Sequence, residues 1–366
     1  MGSVPQKKRM LRNSLLRCTS ALLIGAATLL TATGCGGGNS SAAGSSLPKV
    51  TVGTTNSSSD APLFIAQERG YFEAEGISVE LLPFRSAAEM VAPLGSGGLD
   101  VGGGSPSAGL FNALARDVKI RIVADKSHAS ADDSYLSLLV RKDLVDSGKF
   151  KGYADLKGLT VADYSESGTT SAALNQMLKA GGLTMGDIKR TILAGPEHIS
   201  ALENRAVDAS ITTEPTVSQA VESGAAVRFA GTHKVYPNQQ IGVMIYGEQF
   251  AAKEPEAAAA FMRAFLHGAR DYNDALKGGK LVGEGAKEII SILAKATSAK
   301  PETLAATTSH GVDPDGALNI AGMQSDLEFW KQGGYIEDKD ITVASAVDTS
   351  FAAAASKALG PYKEKK

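Results

Sequence analysis

The sequence predicts an α/β fold of two lobes, each a mostly parallel sheet with flanking helices. Three observations carry this reading. From Lys49 onward, short apolar runs alternate with helix-length segments, the pattern of crossover units. The rhythm starts again after Asp132, with an apolar run over 135–140. A further strand-like run over 241–246 then returns, and the C-terminal third that follows is largely helical. Residues 48–134 and 236–366 are therefore assigned to one lobe, and 135–235 to a second lobe inserted into it. A length of 366 residues suits two such units, each able to bury its own core.

The elements follow from local signals. Lys49–Thr54 (KVTVGT) alternates like a strand. Asp60, Ala61 and Pro62 offer an N-cap and a first-turn proline for a helix over 63–75, which Gly76 closes. A strand over 77–82, a helix over 86–94, a strand over 99–102, a helix over 108–115 and a strand over 120–124 complete the first series. In the second, the strand over 135–140 precedes a short helix at 153–156 and a strand at 159–162. A helix over 169–180, ended by Gly181 and Gly182, leads to strands at 190–193, 209–212 and 227–230. The alanine-rich stretch 255–276 reads as a long helix.

The first 34 residues are different in kind. They hold Lys7, Lys8, Arg9, Arg12 and Arg17, no acidic residue, and an apolar stretch over 21–30. Thr31, Ala32, Thr33 and Gly34 then lead to Cys35. A basic start, a short apolar run and small residues read as a secretory signal, and about ten apolar residues are too few for a permanent span of roughly 20. Small residues before a cysteine resemble the bacterial lipobox, with Ala32 where that motif usually has Leu, so Cys35 is the expected lipidation site. Residues 35–47, rich in Gly, Ser and Ala, cannot bury enough apolar surface to fold and read as a flexible tether.

Charge and cysteine usage narrow the classes. Five of the 37 basic and none of the 39 acidic residues lie in the signal, so the formal charge passes from −2 to −7 without it. An acidic body without a basic cluster argues against nucleic acid as the partner. Cys18 and Cys35 are the two cysteines, so neither a disulfide nor a cysteine metal site is expected in the folded body. Neither a metal nor a cofactor is expected.

Several stretches together resemble the substrate-binding proteins of ABC transporters for nitrate, taurine, sulfonates and aromatic acids. They are 61–77 (APLFIAQERGYFEAEGI), 99–108 (LDVGGGSPSA), 154–161 (ADLKGLTV), 207–215 (VDASITTEP) and 313–336 (DPDGALNIAGMQSDLEFWKQGGYI). The resemblance runs in order along nearly the whole chain after the tether, and the same superfamily contains the yeast-type pyrimidine synthase of thiamine biosynthesis. It implies a type II periplasmic-binding-protein-like fold and a small-molecule ligand held between the lobes. It also implies a membrane permease with its ATPase as partners of a monomeric, exported lipoprotein.

Three segments place small polar groups at a predicted helix start: Asn56 to Asp60, Ser105 with Ser107 after glycines 102–104, and Ser165 to Thr170. Such positions can receive anionic or polar groups, although Ser, Thr and Asp there also serve as simple caps. The resemblance implies ligand contacts at Asn56, Ser57, Ser58, Ser105, Ser107, Ser167, Thr169, Thr170, Thr212 and Glu214. Glu214 reads equally as facing the cleft, bridging the lobes or meeting solvent. Asp60 reads as a helix cap, His128 as a surface residue, Tyr236 as partly packed and Trp330 as core. Arg85 and Lys126 are the cations near these loops.

An enzyme is the first rival. The five histidines are scattered without a metal-binding spacing, and the residues around Ser105 fit neither a nucleophile elbow nor a dinucleotide fingerprint. The pyrimidine synthase carries a cysteine-rich motif that the folded body here lacks, and a histidine where this chain has Asp60. A sensory module that reports a ligand to a membrane kinase is the second rival, with the same capture chemistry.

Overall fold

The structure, a computed structural model, describes residues 47–129 and 135–365. The signal over 1–34, Cys35 and all but the last residue of the tether lie outside the described residues.

Two five-stranded sheets are built from β1 (Lys49–Thr54), β2 (Ser78–Pro83), β3 (Val101–Gly104), β4 (Ile120–His128), β5 (Leu136–Arg141), β6 (Thr160–Asp163), β7 (Lys189–Ile192), β8 (Ala209–Thr213), β9 (Ala226–Gly231) and β10 (Gln240–Gly247). The first has the order β2-β1-β3-β10-β4 and the second β7-β6-β8-β5-β9. In each sheet four strands run one way and one runs against them. That strand is β10, between β3 and β4, in the first sheet, and β5, between β8 and β9, in the second. These are the strands by which the chain arrives from the other sheet. It leaves and returns at the carboxyl edge, so the returning strand must run backwards.

The expected helix over 63–75 is two pieces, Ala61–Glu68 and Tyr71–Ala74. Gly70, at φ 68°, breaks it in a left-handed turn that glycine adopts without strain. The larger departure is β4, which continues to His128, beyond the expected end at 124. Its added residues Asp125, Lys126 and Ser127 are polar and fully buried, so no apolar pattern announced them.

Helix Pro255–Ala275 packs on helix Ala61–Glu68 through Gly268, where a Cβ would fall 2.1 Å from the Pro62 carbonyl oxygen. Phe72 stacks on Phe261 beside this contact, with ring centroids 5.3 Å apart. On the other face of the first sheet, buried Trp330 meets Phe111, with Leu110, Ile122 and Leu327 around them. Leu138, Val161, Leu174 and Met177 centre the second lobe's core. Each such side chain contributes roughly 1.5–3 kcal/mol by leaving water. These cores hold the loops at the strands' carboxyl ends in place.

Candidate functional site

A cavity of about 360 Å³ lies where the carboxyl ends of strands from both sheets meet, within the size range of small-molecule sites. The first lobe contributes the loop after β1 with Thr55, Ser57 and Ser59, the turn at Arg85 and Ser86, Gly104 to Ser107, and Lys126 from β4. The second contributes Tyr135 ahead of β5, Tyr164 and Ser165 after β6, Thr169, Thr170, and Thr213 from β8.

Three helices begin at this cavity: Ala87–Ser96, Ala108–Ala115 and Thr169–Ala180, with Ser86, Ser107 and Gly168 as their N-caps. Unpaired N–H groups at helix starts favour negative or polar ligand atoms. Ser107 Oγ accepts from Leu110 N at 3.3 Å, so this serine caps its helix and lines the cavity as well. The Thr170 hydroxyl donates to the carboxylate of buried Asp163. Burial pushes the Asp163 carboxyl upward, against hydrogen bonds from Thr170 and Ser171 that lower it. Tyr135 is buried, and burial pushes its phenol up to about 12. It is a neutral donor and acceptor at physiological pH.

The expected residues divide into two sets. Ser57, Ser105, Ser107, Thr169 and Thr170 line the cavity. Asn56 does not: its φ is 49°, its Oδ1 accepts from Thr54 Oγ1 at 2.7 Å, and it borders a separate groove beside Phe64 and Ile292. Ser58 and Glu214 sit behind the site, around a small space next to His310. Glu214 is 4% exposed there, accepting from Ser218 at 3.0 Å and pairing with Arg228. Ser167 contributes its carbonyl oxygen to Ala108 N, 3.1 Å away. Thr212 is buried, with its hydroxyl 2.8 Å from Tyr164 Oη. The next residue, Thr213, lines the cavity in its place, because neighbouring residues of a strand face opposite sides. Thr55, Ser59, Tyr135 and Tyr164 were missed too. The loop serines offered a signal for Ser59, whereas the tyrosines stood in segments read as strand or loop.

Of the remaining residues, Tyr236 is buried and donates to Asp326 Oδ1 at 2.6 Å, and Trp330 is core. His128 ends β4 partly exposed, with Nδ1 2.8 Å from Asp125 Oδ2. Asp60 is fully buried and faces Lys126.

A profile of the NMT1-like family matches residues 43–279, more than half of the chain. The chain belongs to the NMT1-like family.

Among curated relatives of this NMT1-like chain is the 4-amino-5-hydroxymethyl-2-methylpyrimidine phosphate synthase of Aspergillus parasiticus, 28% identical over 58% of this chain and 62% of that protein. The taurine-binding periplasmic protein of Escherichia coli K12 is 26% identical over 61% of this chain and 67% of its own length. The chain thus spans about 62% of the first curated relatives it matches. The periplasmic nitrate-binding protein NrtA of Synechocystis PCC 6803 superimposes with a TM-score of 0.69 at 17% identity, over 86% of this chain and 89% of that one. Its likeness is one of fold, the two-lobed α/β architecture described above.

Proposed function

We propose that this NMT1-like chain is a solute-binding protein that captures a small polar molecule between its lobes and delivers it to a membrane importer. One observation carries the reading: helix starts from both lobes converge on a single cavity lined by hydroxyls, two tyrosines and two cations. Such groups hold a solute by many adjustable hydrogen bonds. The similarity to taurine- and nitrate-binding periplasmic proteins supports the same role. The ligand contacts in this reading are Ser57, Ser105, Ser107, Thr169 and Thr170, joined by Tyr135, Tyr164 and Thr213.

The importer is a permease with its ATPase, and the protein works as an exported monomer. The signal over 1–34 directs export and Cys35 carries the lipid, which leaves the lobes tethered through residues 35–47. In this reading the division into lobes is 48–134 with 236–366, and 135–235.

The synthase relative favours a second reading, pyrimidine synthesis on the same fold. The two separate on the fate of the bound molecule. A thermal-shift screen on protein refolded to strip bound solute covers nitrate, sulfonates, aromatic acids and pyrimidines. Binding predicts a clear shift with at least one, since a solute at about 100 times its Kd stabilises by roughly 2.7 kcal/mol, and its recovery unchanged by mass spectrometry. A chemically altered hit supports the synthase reading, and no shift with any solute contradicts capture.

A further inference from the structure

Two cations line the cavity, Arg85 and Lys126, and no carboxylate of the described residues lines it with them. Arg85 is exposed, whereas Lys126 is 1% exposed on β4. A buried lysine is costly unless its charge is met. Here it is met from one side. Lys126 Nζ donates to Ser59 Oγ at 2.9 Å and to Asp60 Oδ1 at 2.5 Å. Asp60 Oδ2 in turn accepts the backbone N–H groups of Thr55 at 3.1 Å and Ser57 at 3.2 Å. Both carboxylate oxygens are thus committed inside the first lobe, and Asp60 stands outside the cavity lining. An ammonium has three N–H donors. The third on Lys126 has no hydrogen-bond partner among the described residues.

The neighbouring strands make room for this side chain. A Cβ at Gly103 of β3 would lie 3.2 Å from Lys126 Cδ, and one at Gly242 of β10 only 2.9 Å from Cε. Glycine at both positions leaves room for the Lys126 stem. Lys126 lines the cavity, whereas its carboxylate partner Asp60 does not.

We infer that Lys126 selects the charge of the solute by donating its third N–H to an acidic oxygen of an anion. Asp60 is the positioning residue that holds the ammonium in place. The inference rests on the solute-binding reading above. A bound anion gains a charge-assisted hydrogen bond, roughly twice as strong as a neutral one, while a cation meets the ammonium before it meets the carboxylate.

Probe pairs that differ in charge but little in shape test this: benzoate with benzamide, and methanesulfonate with dimethyl sulfone. Each is titrated into the wild-type protein and into Asp60→Asn/Lys126→Met. The double variant removes both charges together, so that no buried charge is left unpaired, and circular dichroism checks its fold. The wild type is expected to bind the anion of a pair at least tenfold tighter than its neutral twin, and the double variant to bring that ratio to about one. A folded double variant that keeps the wild-type ratio overturns the inference while leaving solute binding intact, as does a wild type that favours the neutral twin. A wild type that binds neither twin of any pair, nor any solute of the screen, loses the binding reading and the inference together.

Discussion

Ser107 and Gly168, the N-caps of helices in different lobes, pair as an antiparallel bridge beside the cavity that both line. Next to it, Ala108 N donates to Ser167 O at 3.1 Å. The two lobes are thus joined by backbone beside the cavity.

Ala108→Pro tests that tie. Proline is well tolerated at the first helical position, and Ser107 is already extended, as a residue before proline prefers. The variant loses the interlobe donor, worth about 0.5–1.5 kcal/mol. Solute affinity should fall by up to about tenfold, and small-angle scattering with solute present should give a larger radius of gyration. Unchanged affinity and scattering would show that the bridge plays no part in closure.

Glu214→Gln separates site from support. Glu214 is held by Arg228 and Ser218 behind the cavity, so the variant should bind solute within about twofold of wild type. It should lose roughly 1–3 kcal/mol of stability, since a charge-assisted bond to a buried group is weakened. Denaturant unfolding and titration, run side by side, read the two effects. A large loss of affinity at unchanged stability would return Glu214 to the site.

Asp326 is 1% exposed, and burial raises its carboxyl to about 7 against a hydrogen bond from Tyr236 that lowers it. The folded protein therefore holds a proton there that the unfolded chain releases near its ordinary value of 3.8. Stability should fall by a few kcal/mol as pH rises from about 4 to 7. Asp326→Asn keeps an acceptor for Tyr236 without the titration, so its stability relative to wild type should climb across that window. Parallel unfolding curves for the two proteins at every pH would refute it.

Gly268→Ala adds a Cβ 2.1 Å from the Pro62 carbonyl oxygen. The two helices must separate, at about 1–3 kcal/mol for an overpacked contact. Unfolding in urea measures this, and an undiminished midpoint would mean that the contact relaxes freely.

The sequence carried the fold further than the site. Alternating runs such as KVTVGT fell on real strands, and helix Ala108–Ala115 has the bounds its pattern implied. The direction of β10 was not legible, because strand orientation depends on where the chain returns. Buried Lys126 was read only as a nearby cation, since its partner Asp60 lies 66 residues away and looked like a simple cap. The role of glycines 103 and 104 was not legible, because it depends on distant neighbours: a Cβ at Gly104 would fall 2.3 Å from Ala87 Cβ, and one at Gly103 would crowd Lys126. Thr212 and Thr213 differ by one step of strand alternation, which no composition can resolve without the register.

The most direct test of capture between the lobes uses Ser105→Trp. Ser105 is exposed and lines the cavity, so the indole can fill it without entering the core. The strongest solute from the screen is titrated calorimetrically into the wild-type protein and into this variant, with thermal unfolding as the control for folding. Capture between the lobes predicts saturable one-to-one binding to the wild type and none detectable to a variant of near-normal stability. Equal affinity for both proteins would place the solute elsewhere and contradict capture in this cavity.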